Sequence, residues 1–225
     1  MKIIWLGQAG LLFETDKTKI LIDPYLSNSV AAVNPANFRR VAVNEEFLKI
    51  KPDIIIFTHN HLDHYDPETV KFFISTDTDI TVLAPYSVWS EVRKIGGQNN
   101  YVMFNRHTVW SEKGMIFTAV KAEHSDPYAI GVIIEAEGKK YYITGDTLYN
   151  DEIFSDIPNG IDTVFLPVNG VGNNMNFTDA VRFAERVGAE HIVPIHFGMF
   201  DELDVKSKFI CKNKIIPEIY KEVVL

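Results

Sequence analysis

A single cysteine, Cys211, occurs in the 225 residues. That excludes an intramolecular disulfide and any cysteine-rich zinc cluster. Basic residues are outnumbered, 22 Lys and Arg against 30 Asp and Glu, for a formal net charge of −8. Such a balance lacks the basic face on which long nucleic acids or anionic membranes are held. No apolar run approaches the roughly 20 residues that span a bilayer. Residues 1–17 carry only Lys2 before their apolar stretch, with Gln8, Glu14 and Asp16 close behind, so they read as strands and not as a signal peptide. Linkers rich in Pro, Gly and Ser are also missing, as are long charge runs and repeats. The expectation is one soluble, cytoplasmic domain, 1–225, with residues 26–44 as an irregular insertion.

Hydrophobic residues make up 46% of the chain, enough for a large core. Short apolar runs bounded by Gly, Asp and Pro predict an antiparallel meander over Lys2–Leu6, Leu11–Glu14 and Lys19–Asp23. The unbroken run Asp53–Thr58 predicts a strand buried on both faces. Asp66-Pro67-Glu68 then predicts a helix start, with Asp66 as N-cap. Another strand at Thr81–Ala84 and a helix over Ser87–Ile95, stopped by Gly96-Gly97, complete the first half. The second half reads as strands at Tyr101–Phe104, His107–Trp110, Met115–Ala122, Ile130–Ala136 and Lys140–Thr144. Strand Thr163–Pro167, a helix Thr178–Val187 capped by Thr178, and strand His191–Ile195 follow. A helix near Val205–Cys211 and a last segment Pro217–Val224 finish the chain. Two sheets packed face to face with helices outside account for this order.

Seven histidines are present, and three fall within Thr58-His59-Asn60-His61-Leu62-Asp63-His64. His59 and His61, two apart, project to one side of an extended stretch. Asp63 and His64 come where the chain turns toward Asp66 and can address a second spot. Imidazole and carboxylate are good ligands for zinc and related divalent ions. One loop cannot surround two ions. His124, Asp146 and His196 each follow a predicted strand, where neighbouring loops converge. His107 and His191 read as incidental.

The run from His59 to His64, with His124, Asp146 in Gly145-Asp146-Thr147, and His196, resembles the five-motif pattern of the metallo-β-lactamase superfamily. Leu21-Ile22-Asp23-Pro24 resembles that family's early Asp turn. More finely, residues 5–10 (WLGQAG), 168–170 (VNG), 173–176 (NNMN) and 193–198 (VPIHFG) are similar to the L-ascorbate-6-phosphate lactonase-like group. The resemblance implies an α+β, four-layer αββα sandwich of two mixed sheets with the metal site at one edge. It implies two divalent ions, Zn or Mn foremost and Fe as an option. His59, His61 and His124 would hold the first, Asp63, His64 and His196 the second, with Asp146 between them. Ions held this closely activate a water and polarise the attacked group. Asp63 would carry the proton, and Asp23 would fix a ligand histidine.

Two departures stand out. Gln8 occupies a place where relatives of that group often have His, and it cannot become cationic. The chain is also shorter than typical lactonases of the group. Gln8, Asn169 and Asn174 are candidate substrate contacts, and Arg39 and Arg40 candidate phosphate contacts. The leading expectation is hydrolysis of a small, anionic, phosphorylated sugar lactone. A phosphodiesterase of small or cyclic nucleotides is the alternative. A mononuclear iron dioxygenase or a non-enzymatic, metal-stabilised binding protein represents other classes. Trp89, Trp110 and the tail are candidate surfaces for a homo-oligomer.

Overall fold

The computed structural model describes residues 1–225, and its chain order places strands into two mixed six-stranded sheets. The first contains β1 (Lys2–Gly7), β2 (Gly10–Glu14), β3 (Lys19–Ile22), β4 (Ile54–Ile56), β5 (Thr81–Ala84) and β6 (Asn100–Met103), in that order. β1 to β3 form the expected antiparallel meander, and β3 to β6 run parallel. The second contains β7 (Val109–Glu112), β8 (Met115–Lys121), β9 (Ile130–Ala136), β10 (Lys139–Ile143), β11 (Thr163–Pro167) and β12 (His191–Ile195). Here too an antiparallel run, β7 to β10, is followed by parallel strands.

Alternation along the strands explains the layers. Ile54 and Ile56 of β4 enter the core between the sheets, together with Trp5, Phe13, Phe117, Ile134, Tyr141 and Phe165. Ile55 points the other way, into an outer core with Phe57, Val82 and Val88. On the far side, Tyr142, Val164 and Leu166 pack against Ala180, Phe183 and Ala184. Side chains i and i+2 share a face of a strand, so each sheet is covered twice. Each fully buried Ile, Leu or Phe contributes about 1.5–3 kcal/mol. The outer layers are thin: α1 (Ser29–Val33), α2 (Pro67–Val70), α3 (Tyr86–Val92), α4 (Phe177–Val187) and α5 (Val205–Lys208).

Several local expectations shift. Asp66 does cap α2, accepting from Glu68 N and Thr69 N. The cap of α4 is Asn176, accepting from Asp179 N, and not Thr178. A helix starts where the capping side chain can accept from a free N–H two or three residues on, and Asn176 does so two residues before Thr178. α3 ends at Val92 and continues only as a 3-10 turn, Arg93–Ile95, before Gly96 at φ 73°. β7 begins at Val109, because His107 sits at φ 72°, outside the extended region. The helix near Val205 stops at Lys208. Residues 26–44 carry α1 and a 3-10 turn, Pro35–Asn37.

The tail closes an edge. Trp5 N donates to Lys221 O, Tyr220 N to Trp5 O and Val223 N to Ile3 O, so β1 does not present an open ladder. Trp89 and Trp110 are half-buried, their indole N–H groups donating to Tyr101 O and Glu112 Oε2. No helix is long and apolar enough to cross a membrane.

Asp156 joins the loop before β7 to the end of β8. Its oxygens accept from Arg106 Nε at 2.6 Å, Arg106 Nη2 at 2.8 Å and Lys121 N at 2.9 Å. The Arg106 guanidinium outweighs burial and, with Lys121 N–H and His107, holds the carboxyl well below the usual carboxylate range. A depressed folded value means stability present above the unfolded pKa near ~4 and lost as pH falls below it. Arg106 is partly exposed, which screens the pair. Asp156→Asn is therefore expected to cost about 1 kcal/mol at neutral pH, with wild type and variant converging below about pH 4 in denaturant titrations run across pH.

Candidate metal centre

The loop after β4 is held open for chemistry by its neighbours. Phe57 N donates to Leu83 O, and His64 N and Tyr65 N donate to His61 O, which makes the turn that brings Asp63 and His64 back beside His59. Asp126 Oδ2 accepts from Asn60 N at 3.1 Å and from Ser87 Oγ at 2.5 Å. It pins the loop from the side and went unnoticed in the sequence, where Ser125-Asp126-Pro127 looks like an ordinary turn.

Two groups of donors result, with Asp23, His59 and His64 forming a third that shares a member with each. His59, His61, His124 and Asp146 offer ligand atoms all within 4.8 Å of one another, and so do Asp63, His64 and His196. Every ligand candidate named from sequence is thus brought together, and His107 and His191 are in neither group. Asp146 lies between: its Oδ1 is 3.2 Å from His64 Nε2 and its Oδ2 is 3.1 Å from His196 Nε2. His124 Nε2 is 3.1 Å from His61 Nδ1. His196 Nε2 is 3.4 Å from Asp63 Oδ2.

Asp23 is fully buried and accepts from Thr58 N at 2.8 Å, from Thr58 Oγ1 at 2.5 Å and from His64 Nδ1 at 2.8 Å. With Nδ1 so committed, His64 turns Nε2 toward Asp146. Gln8 Nε2 donates to Asp63 Oδ2 at 2.7 Å and lies over the His196 ring, 3.0 Å from its Nε2. Gln8 O accepts from Trp5 Nε1 and His196 N, binding the β1–β2 turn to the end of β12. Asn174 Nδ2 donates to Asp146 Oδ2 at 2.8 Å, while its Oδ1 accepts from Thr147 N. It orients the Asp146 carboxylate, a role beyond the substrate contact expected of Asn174 from the sequence. Asn169 Nδ2 is 3.0 Å from His196 Nδ1.

Three of these residues, Gln8, Asp23 and His196, have φ of 50°, 42° and 61°. Left-handed backbone outside glycine costs on the order of 1 kcal/mol or more each and persists where surrounding contacts dictate it. Gly145, at φ 63°, precedes Asp146, and a Cβ there would lie 2.8 Å from Ile130 O and 3.0 Å from Thr58 Cβ. The two ligand loops meet at this glycine. Gly145→Ala should cost about 2–4 kcal/mol from overpacking and strain, lowering Tm by roughly 5–15 °C in a thermal melt.

Charge divides the groups. Burial, reinforced by the neighbouring His64, His124 and His61, pushes the His59 pKa well below the ordinary imidazole value despite Asp146. His59 is therefore neutral, and its buried Nε2 has no hydrogen-bond partner. Burial opposes charge on His64 and His196 as well, but Asp146 with Asp23 and Asp63 raises the first well above the ordinary value. Asp146 and Asp63 raise the second to about 9. The same imidazoles pull Asp146 and Asp63 down against their burial. The donor types fit divalent ions, which take neutral imidazole and ionised carboxylate; His59 is already neutral, whereas an ion in the second group would displace the protons that the carboxylates favour on His64 and His196. A ligand would satisfy the orphaned His59 Nε2, which burial otherwise penalises.

A cavity of about 250 Å³ opens beside the cluster. Its wall includes Gln8, Asp63, Asp146, Asn169, Asn174 and His196, plus Val30 and Asn37 from the 26–44 segment. All three proposed substrate contacts thus reach it, though Asn174 is occupied by Asp146 and Thr147. Arg39 and Arg40 do not line it. Arg39 donates to Tyr25 O, Val41 O and Tyr220 OH, and Arg40 to Phe200 O. They tie the segment down and are not free for a phosphate.

Comparison with known proteins places this arrangement. Residues 18–197 match the family described as beta-lactamase superfamily domain. A UPF0173 metal-dependent hydrolase from Geobacillus thermodenitrificans is 31% identical over 218 residues, covering 89% of this chain and 87% of that protein. Among solved structures, Igni18, a metallo hydrolase from Ignicoccus hospitalis, superposes with a TM-score of 0.76 at 20% identity over 99% of this chain and 97% of its own. An isothiocyanate hydrolase from Delia radicum gut bacteria gives 0.77 at 19% identity over 100% and 99%. At such identities the likeness is one of fold. Matched from β3 to beyond its last cluster histidine, and sharing nearly a third of its residues with a UPF0173 protein along most of both chains, this chain belongs to the metallo-β-lactamase superfamily.

Proposed function

We propose that the protein is a metal-dependent hydrolase of a small ester or lactone. The observation that carries this reading is the neutral, buried His59, whose Nε2 lacks any partner although His61, His124 and Asp146 surround it. In this reading His59, His61 and His124 would hold one divalent ion and Asp63, His64 and His196 a second, with Asp146 a donor between the two groups. When bound, Zn or Mn ions supply an activated water and positive charge for the developing oxyanion. The protein's own groups do the rest. Asp23 orients His64, and Asn174 orients Asp146. Asp63, steadied by the Gln8 amide, faces the cavity and can take the proton of the attacking water and return it to the leaving oxygen. Gln8 acts only as a donor, since an amide does not ionise near neutral pH.

The lactone part rests on the likeness of residues 5–10, 168–170, 173–176 and 193–198 to lactonase-like proteins, and a compact cavity suits a small ring. The test is metal-free protein reloaded with Zn, Mn or Fe and screened against lactones, esters, thioesters and phosphodiesters, with metal content measured on the same samples. Turnover of lactones or esters that requires bound metal is expected. Oxygen uptake without any hydrolysis would overturn the reading.

A further inference from the structure

Every ionised side chain on the cavity wall, apart from its histidines, is an aspartate: Asp63, Asp146 and Asp201. The first two belong to the cluster, where His64 and His196 lie against them. Asp201 does not. It stands in the loop after β12, next to Phe200 on the same wall. Its Oδ1 accepts from Gly198 N at 3.0 Å and Leu203 N at 2.9 Å, which shapes the loop. No lysine or arginine neutralises it. The guanidinium of Arg40, brought close by Arg40 N donating to Met199 O, is engaged by the Phe200 carbonyl at 2.7 Å and by Glu202 at 3.7 Å.

We propose that Asp201 is a specificity-determining residue that selects uncharged or ammonium-bearing substrates with hydrogen-bond donors and turns away those carrying a phosphate or carboxylate. The inference rests on the hydrolytic reading above and narrows its substrate class. The physical reason is direct. A carboxylate on the cavity wall with one oxygen committed to its own loop still brings its charge to the cavity. In a partly desolvated space, like charges repel and donors are attracted. Neither Arg39 nor Arg40 forms an ion pair with it: Arg39 is spent on Tyr25 O, Val41 O and Tyr220 OH, and Arg40 on Phe200 O and Glu202. The phosphorylated substrate expected from the sequence therefore meets no cationic side chain outside the cluster and one anion without an ion pair, so that only the loaded metal centre would attract it.

Asp201→Asn separates charge from shape, because the amide oxygen can still accept from Gly198 N and Leu203 N. The measurement is kcat/KM of the metal-loaded protein on three esters of one acyl chain ending in hydroxyl, ammonium or carboxylate, at low and high salt. The wild type is expected to disfavour the carboxylate ester relative to the hydroxyl ester. Asp201→Asn should shrink that gap by roughly tenfold, equivalent to about 1.4 kcal/mol. The gap should also narrow with salt in the wild type, as screening requires. A purely structural role would change all three esters together. A ratio unmoved by the substitution and by salt overturns the proposal. Should no ester turn over, binding of inorganic phosphate to metal-loaded wild type and variant decides. Roughly tenfold tighter binding by the variant supports charge selection while hydrolysis fails, and equal binding overturns both.

Discussion

Asp146→Asn should lower kcat/KM by roughly 10³-fold or more and strip at least one ion from the loaded protein. Residues that merely orient a ligand are worth about 10–100-fold in affinity or activity, and Asp146 stands closer to the chemistry than that. Its oxygens lie 3.2 and 3.1 Å from His64 Nε2 and His196 Nε2, and Asn174 donates to Oδ2 at 2.8 Å. Asparagine keeps one acceptor. Its amide nitrogen must face either an imidazole of the second group or the Asn174 amide, donor against donor, and it brings no negative charge to balance a cation. Metal analysis beside steady-state kinetics reads both effects, with circular dichroism showing that the variant is folded. Unaltered metal content and turnover would remove Asp146 from the centre.

Asp23→Ala should act on stability as much as on chemistry. The carboxylate is fully buried and satisfies Thr58 N, Thr58 Oγ1 and His64 Nδ1 together. Its removal strands three buried donors, one of them on a group whose charge the surrounding carboxylates favour. Losing one member of a buried ionic network costs about 3–5 kcal/mol, which for a chain of this size is a Tm drop of roughly 10 °C or more. The freed His64 ring can rotate or change tautomer, so metal affinity should fall about 10–100-fold as well. Differential scanning calorimetry and metal titration measure the two losses. A shift of only a degree or two would mean that the donors find other partners and that Asp23 is a simple turn residue.

The sequence made the ligands legible because their chemistry is carried by residue type. His59, His61, Asp63 and His64 crowd one loop, and His124, Asp146 and His196 each follow a strand that composition and punctuation mark out. Most strands were legible for the same reason: unbroken apolar runs between Gly, Asp and Pro have few other uses. What failed to show is whatever depends on distant contact. Asp126 reaches across the chain to Asn60, yet nothing in its neighbours distinguishes it from a surface turn, and Asn174, read as a substrate contact, proves to be held on Asp146. Arg39 looked like a free cation until the tail's Tyr220 and the Tyr25 carbonyl were found to occupy it. The 26–44 segment has no period, and only its docking against the cavity, through Val30 and Asn37, gives it a place.

The two sheets are each built from one continuous stretch of chain, the first complete at Met103 apart from its tail cover and the second beginning at Val109. The donors are split across that divide. During synthesis the first sheet emerges with His59, His61, Asp63 and His64 already on its edge, while His124, Asp146 and His196 are still to be made. A growing chain therefore displays His59, His61, Asp63 and His64 first, completes the first donor group at Asp146, and completes the second only when β12 delivers His196. The donors of the two groups are thus translated in a fixed order, the first group ahead of the second.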